Sequence, residues 1–142
     1  MNKYILRLVV CFSLMTASAS LSNATEYVTS PDGRISLSVG LKSGKPYYTV
    51  NYNQTPIIAP SHLGFQLDKG TLGENMRMVG KRTDSKDETW QQLWGEDETV
   101  RNHYNELAVD FQEKAGAKRL MTVIFRVFND GIGFRYIIDS NI

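Results

Sequence analysis

From Thr25 onward the chain alternates apolar and polar residues with a period of two, which is typical of β-strands with one buried face. Ile35, Leu37 and Val39 alternate in this way, and they follow an Asp-Gly pair that supplies the positive φ angles of a tight hairpin turn. Gly, Pro, Asn and Asp interrupt the apolar positions at short intervals, and no convincing amphipathic helix follows Thr25. The pattern predicts an all-β fold, a sandwich of mainly antiparallel strands.

Turn-forming residues divide the first half of the chain into short strands. Residues 42–45 and Asn53-Gln54 are predicted turns. Pro60 is expected to end the apolar piece at Ile57-Ile58, because proline cannot donate to a ladder. Residues 81–88 are polar and are expected to form a link between strands.

The last third of the chain carries the most regular strand patterns. Leu107, Val109 and Phe111 alternate with more polar residues. Residues 120–128 are apolar at nearly every position of their second half, as in a strand that is buried on both faces. An Asn-Asp-Gly turn then leads to the last predicted strand, residues 132–138.

One stretch between these halves, residues 90–106, follows no clean period. It contains both tryptophans, one of the two histidines, four carboxylates and an arginine. Aromatic rings stack on the apolar faces of sugars, while carboxylate, amide and guanidinium groups bind sugar hydroxyls. The candidates for substrate contact in this stretch are Trp94, Glu96, Arg101, Asn102, His103, Tyr104 and Glu106.

These residues also have structural interpretations, which the sequence pattern leaves open. Tryptophans are common core or interdomain anchors, and the three consecutive carboxylates at 96–98 suit an exposed acidic loop. Arg101 could form a structural ion pair with Glu106 or Glu96. His103 could be a structural histidine that is held by hydrogen bonds.

Side chains alternate between the two faces of a strand, and this alternation in the strand that carries Leu107 gives a further prediction about this stretch. If the strand extends backwards, Arg101, His103 and Asn105 lie on the same face as Leu107. Polar side chains on the core side need partners. Either a bulge breaks the register here, or the end of the strand opens into a polar cleft.

Length and charge exclude several classes of function. The chain has 142 residues, which suits one domain, and a net charge of +1 from 16 basic and 15 acidic residues. It has no basic block or stripe, and therefore neither nucleic acid nor an anionic membrane surface is an expected partner. It also lacks a P-loop, a GxGxxG run and a CxxC pair.

The first 24 residues have the pattern of an export signal. Lys3 and Arg7 precede the short apolar run 8–15, and small residues allow cleavage after Ala19 or Ala24. An uncleaved anchor and a structural helix are the alternatives. Cleavage after Ala24 would leave a domain at 25–142 without cysteine, because Cys11 is the only one. The prediction is a periplasmic or secreted protein with no membrane contact after cleavage.

Four runs of residues carry a resemblance to a known family. They are Ser30-Pro31-Asp32-Gly33, then Leu93-Trp94-Gly95-Glu96 with Val100-Arg101-Asn102-His103-Tyr104-Asn105-Glu106-Leu107, and then Phe128-Asn129-Asp130-Gly131-Ile132-Gly133-Phe134-Arg135-Tyr136. In this order they resemble the N-terminal domain of glycoside hydrolase family 97. This family contains exported bacterial α-glucosidases and α-galactosidases.

The resemblance implies a galactose-mutarotase-like β-super-sandwich, of which residues 25–142 would be a part that is incomplete at its C-terminal end. It also implies a catalytic (β/α)8 barrel after the sandwich. Family members hold calcium mainly with barrel carboxylates, and their catalytic carboxylates are also in the barrel. No catalytic residue, metal ligand or cofactor is therefore assigned to this chain. The candidate residues of the central stretch become candidates for barrel contact as well, with an α-linked oligosaccharide as the shared ligand.

Three functions follow from these observations. The first is the N-terminal sandwich of an exported α-glycosidase, which is inactive alone and packs on the barrel to help wall its active site. The second is a free-standing carbohydrate-binding sandwich without catalysis. The third is an aldose-epimerase-like enzyme that uses His62 or His103; it is disfavoured because the chain is short for a complete epimerase sandwich.

Overall fold

A computed structural model describes residues 25–68, 70–93 and 99–138, and every regular element in these ranges is a β-strand. The strands are β1 (Glu26–Thr29), β2 (Ile35–Lys42), β3 (Lys45–Tyr52), β4 (Thr55–His62), β5 (Phe65–Leu67), β6 (Gly70–Leu72), β7 (Met76–Gln91), β8 (Thr99–Glu113), β9 (Leu120–Phe128) and β10 (Ile132–Ile138). The proposed export signal, Trp94 and Glu96 lie outside the described residues. Within the described ranges, no helix is long and apolar enough to cross a membrane.

The strands form two four-stranded sheets and a small two-stranded sheet, and every pairing is antiparallel. The first sheet has the order β1-β2-β3-β4, the second has the order β10-β9-β8-β7, and β5 pairs with β6. The two large sheets share one apolar core. The prediction of an all-β, mainly antiparallel sandwich is confirmed.

The core consists of the alternate residues that the apolar pattern marks. Leu37 and Val39 of the first sheet and Leu107, Val109 and Phe111 of the second are all 0–1% exposed. Side chains at every second position point to the same face of a strand, and burial of that face is the main favourable term in folding. The alternation in the sequence therefore predicts which face of each sheet is buried.

The prediction of a polar link at residues 81–88 is wrong, because these residues belong to β7. Successive residues of β7 pair with β8 from Lys81 opposite Val109 to Gln91 opposite Thr99. β7 is an edge strand, and most of its side chains from Lys81 onward are exposed. Backbone pairing holds this part of the strand without a buried face, so that no apolar alternation is needed.

The prediction that Pro60 ends its strand is also wrong. β4 continues through Pro60 to His62, and its pairing with β3 shifts in register between Tyr48 and Val50. β4 lies at the edge of the first sheet. An edge strand forms backbone hydrogen bonds on one side only, and the bulge accommodates Pro60, which has no backbone N–H to donate.

The predicted Asp-Gly turn between β1 and β2 is present, and hydrogen bonds fix its aspartate. Gly33 has a φ of 74°. The Asp32 carboxylate accepts hydrogen bonds from the Ser30 hydroxyl at 2.6 Å and from the Arg34 backbone N–H at 3.0 Å. These bonds, led by the Ser30 hydroxyl, lower the pKa of Asp32 from 3.8 to about 2. The Asp32 backbone N–H also donates to the Asn129 side chain at 3.0 Å, which joins this turn to the β9–β10 turn.

Asp32→Asn is expected to destabilise the protein at neutral pH but not in strong acid. Because the folded-state pKa of Asp32 is depressed, its charge contributes stability above pH 3.8, and this contribution is lost as the pH falls towards about 2. Urea unfolding of both proteins across this pH range measures the difference. Asp130→Asn is the control, since Asp130 makes no hydrogen bond with a described residue. A difference between Asp32→Asn and the unmodified protein that does not change with pH would contradict the prediction.

Candidate functional site: a polar groove beside the β7–β8 hairpin

The hairpin of β7 and β8 extends beyond the rest of the second sheet. β8 pairs with β7 along its whole length, whereas β9 pairs with β8 only from Tyr104 to Gln112. The part of β8 from Thr99 to His103 therefore pairs with β7 alone. We call this two-stranded extension, residues 87–91 with 99–103, the arm. It carries part of the central stretch, and residues 94–98 between its strands lie outside the described residues.

The register of the arm decides between the two parity alternatives. The β7–β8 pairing shifts only between Met78 and Gly80, and no bulge occurs beside residues 101–105. Arg101, His103 and Asn105 therefore lie on the same face as Leu107. The bulge alternative is therefore excluded, and the core-side face of the hairpin becomes polar before Leu107.

Ionic and hydrogen-bonded contacts occupy the core-side face of the hairpin. Arg101 donates to both carboxylate oxygens of Asp87, at 2.9 and 2.8 Å, and this guanidinium lowers the pKa of Asp87. His103 Nε2 lies 3.8 Å from the same carboxylate. The Asn105 amide donates to the Thr29 carbonyl at 2.9 Å, which connects β8 to the first sheet. The predicted ion pair of Arg101 with Glu106 is wrong, because Asp87 pairs with Arg101.

The opposite face of the hairpin holds the other described candidates. Asn102 donates to Glu88 at 2.8 Å. Glu106 accepts from Arg126 Nε at 2.7 Å, and the Arg126 guanidinium lies 4.5 Å from the centre of the Tyr104 ring. Tyr104 is only 4% exposed, so its ring supports this ion pair rather than forming an open sugar platform. The sequence candidates therefore divide between two faces and do not form a single cluster.

A groove of about 480 Å³ lies between β1 and the base of the β7–β8 hairpin. Its lining consists of Tyr27, Val28, Thr29, Thr83, Asp84, Ser85, Asn105 and Glu106. Tyr27, which lines the groove, is 74% exposed. Hydroxyl and amide groups beside an exposed tyrosine suit a polyhydroxylated ligand.

Of the eight groove residues, only Glu106 was a candidate for substrate contact in the sequence. Residues 83–85 were assigned to a polar link, and residues 27–29 and Asn105 were not proposed as site residues. A strand interpretation of residues 81–88 would have made them candidates for pairing with β8, in which the observed register places Ser85 opposite Asn105. No local signal brings Tyr27 to them, because the groove depends on the packing of two different sheets.

The fold and the groove together define an antiparallel β-sandwich domain with a polar cleft at one end. Residues 28–141 match the model of the family described as Glycosyl-hydrolase 97 N-terminal, and the chain therefore belongs to that family. The resemblance in the sequence motifs is confirmed.

Individual relatives of this chain are glycosidases of much greater length. A retaining alpha-galactosidase of Bacteroides thetaiotaomicron is 30% identical over 135 residues, which are 94% of this chain and 19% of the relative. A glycoside hydrolase family 97 enzyme from Pseudoalteromonas sp. strain K8, solved in complex with acarbose, superimposes with a TM-score of 0.77 at 28% identity. That match covers 82% of this chain and 18% of the enzyme. A beta-arabinopyranosidase superimposes with a TM-score of 0.70 at 29% identity, over 78% and 18% of the two chains. The chain thus spans less than a fifth of these relatives.

Proposed function

We propose that this chain is the N-terminal, carbohydrate-associated β-sandwich of an exported α-glycosidase of the α-glucosidase or α-galactosidase type. In this proposal it packs on a catalytic (β/α)8 barrel and helps wall the active site that binds an α-linked oligosaccharide. The observation that supports the proposal is the polar groove beside the β7–β8 hairpin, whose hydroxyl and amide groups and exposed tyrosine suit a sugar. The chain that forms this groove belongs to a glycosidase family.

The exposed apolar residues at the end of the arm support a contact with a further protein domain. Trp90 is 45% exposed and Leu93 is 92% exposed, and Leu93 directly precedes residues 94–98, which lie outside the described ranges. Large apolar side chains that are exposed close together are typical of surfaces that another protein covers. The arm would then contact the barrel, and the groove at its base would face the sugar.

Export and calcium belong to the same proposal. Residues 1–24 would direct the protein to the periplasm or the medium. The resemblance implies calcium for the full-length family, but the described residues do not fit such a site, since no three His, Cys, Asp or Glu side chains among them are grouped to hold an ion.

Tyr27→Ala is expected to weaken the binding of an α-linked glucose trisaccharide about tenfold, which corresponds to about 1.4 kcal/mol. Truncation removes the open ring on which the sugar would stack. Heteronuclear NMR titration of the purified chain measures the affinity and identifies the shifted groove residues. Tyr52→Ala is the matched control, because Tyr52 is 38% exposed but does not line the groove. Equal affinities of the two variants, or no shift at groove residues, would contradict the proposal.

A free-standing carbohydrate-binding module is the second candidate function. The exposed Tyr27 favours it, because a groove with its own aromatic platform does not need a barrel. The same titration separates the two functions. A groove that is one wall of a larger cleft is expected to bind weakly alone, whereas a complete module is expected to bind as tightly as any longer protein that contains it.

A further inference from the structure

Four strands form the outer edges of the two large sheets, namely β1, β4, β7 and β10. The edge of a sheet carries unpaired backbone groups, and proteins limit pairing there with short strands, prolines, bulges or charged side chains. β1 has only four residues. β4 contains Pro56 and Pro60, and its register with β3 shifts twice. β7 has a register shift, and its residues 81–88 are rich in charged side chains. Three of the four edges are therefore protected.

The fourth edge strand, β10, has none of these features. It has seven residues, contains no proline and pairs with β9 without a shift in register. Arg135 is its one charged residue. Phe134 is 42% exposed and Ile137 is 51% exposed. β10 thus presents a regular and mostly apolar edge, which is typical of a strand that pairs with another chain.

The β9–β10 turn shows which backbone groups of β10 point away from β9. The Phe128 N–H donates to the Gly131 carbonyl at 2.8 Å, and hydrogen-bonded pairs alternate with non-hydrogen-bonded pairs along an antiparallel ladder. Residues 133, 135 and 137 are therefore hydrogen-bonded to β9. Residues 132, 134, 136 and 138 direct their N–H and C=O groups outward, and no described strand pairs with this side of β10.

We propose that β10 pairs antiparallel with β10 of a second copy of this chain, so that the two second sheets join into one eight-stranded sheet. The same row of outward N–H and C=O groups is present on both copies, and the net charge of +1 opposes their approach only weakly. Both ends of the joined sheet are then β7 strands, whose charges and bulge prevent further pairing. The association is a closed two-fold dimer.

Charge selects the register of this pairing. A register centred on Arg135 would place its guanidinium opposite its own copy, and like charges directly opposite each other destabilise a sheet. The register centred on Tyr136 places Arg135 opposite Ile137 of the second copy instead. The apolar stem of Arg135 then covers the exposed Ile137. A register centred on Phe134 would place Ile137 opposite Gly131 and cover less apolar surface.

Sedimentation velocity of the purified chain tests the association. A reductant is present, so that Cys11 cannot link two copies. We expect a monomer–dimer equilibrium in the micromolar range. Amide hydrogen exchange measured by NMR locates the contact, because the outward N–H groups of Phe134 and Tyr136 are expected to gain protection as the concentration rises. The N–H groups of Gly133 and Arg135 are the internal reference, since they are already bonded to β9 in the monomer.

Ile137→Lys and Ile137→Glu form the decisive pair of variants. Both remove the same apolar side chain, but Lys places a like charge opposite Arg135 of the second copy, whereas Glu places an opposite charge there. The dissociation constant of the dimer is expected to be at least about tenfold higher for Ile137→Lys than for Ile137→Glu. Ile57→Lys is the matched control on the β4 edge, where Ile57 is 58% exposed, and is expected to leave the dimer unchanged.

Four outcomes would overturn the inference in different ways. A chain that stays monomeric throughout the micromolar range would exclude self-pairing and leave β10 for a strand of a different polypeptide. Assemblies larger than a dimer would contradict the closed two-fold arrangement. Equal dissociation constants for the two Ile137 variants would overturn the register, and equal weakening by Ile57→Lys would exclude β10 as the interface.

The association is independent of the proposed function. β10 contributes no residue to the groove or to the arm. Sugar binding by Ile137→Lys is therefore expected to equal that of the unmodified chain. A failure of self-association is thus distinguishable from a failure of the groove to bind sugar.

Discussion

Leu107→Ala is expected to lower the free energy of unfolding by about 2–5 kcal/mol, because it leaves a cavity in a closely packed core. Leu107 is 1% exposed and lies on β8 between Thr83 on β7 and Phe125 on β9. It directly follows the candidate residues 101–106. The substitution is therefore expected to loosen the part of β8 that positions Asn105 at the groove, as well as to destabilise the fold.

Leu93→Ala is the matched control for this prediction. Leu93 is 92% exposed, and the same truncation there is expected to change the free energy of unfolding by no more than about 0.5 kcal/mol. Urea unfolding monitored by circular dichroism measures both variants. If the two substitutions had similar small effects, the assignment of Leu107 to the shared core would be wrong.

Gly73→Ala is expected to cost at least about 3 kcal/mol, because two backbone segments approach closely at this residue. A Cβ on Gly73 would lie 2.7 Å from the Leu63 carbonyl oxygen and 2.8 Å from the Cα of Gly64. Gly73 also has a φ of 119°, which other residues rarely adopt. The backbone at residues 63–64 and at Gly73 must therefore move apart. This movement would displace the neighbouring core residues Leu63 and Leu72.

Gly70→Ala separates the two causes of this cost. Gly70 has a similar φ of 112°, but a Cβ there would meet no atom within 4 Å. Its substitution is expected to cost only the backbone strain, about 1–3 kcal/mol. The additional loss in Gly73→Ala then measures the backbone contact. Equal losses in the two variants would show that this contact contributes nothing.

The sequence predicts the fold well where one face of a strand is buried and the turn chemistry is strong. The alternation of Leu107, Val109 and Phe111 gives the core face of β8 correctly. The predicted turn at Asn53-Gln54 is confirmed, because both residues have positive φ angles of 45° and 68°. In these regions local propensity and tertiary packing favour the same structure.

The prediction fails at edge strands, where pairing does not require an apolar face. Residues 81–88 form part of β7 although nothing covers most of their side chains, and β4 includes Pro60 because the outer side of an edge strand needs no donor. The sequence contains no periodic signal in either place. Only the long antiparallel register with β8 determines the extent of β7.

The candidate site is predicted in part, and the limit is the sequence distance between contacting residues. Parity correctly places Arg101, His103 and Asn105 on the core-side face. It does not identify Asp87 as the partner of Arg101, because that pair spans the hairpin. It also does not predict the contact of Asn105 with Thr29, which are 76 residues apart on different sheets.

The nucleotide sequence that follows the codon for Ile142 in the source genome tests the proposed function most directly. The proposal predicts that the reading frame continues into a (β/α)8 barrel with paired active-site carboxylates, because the chain spans 19% of the alpha-galactosidase that it resembles. A stop codon with no glycosidase barrel encoded beyond it would contradict the proposal that this sandwich forms part of an α-glycosidase.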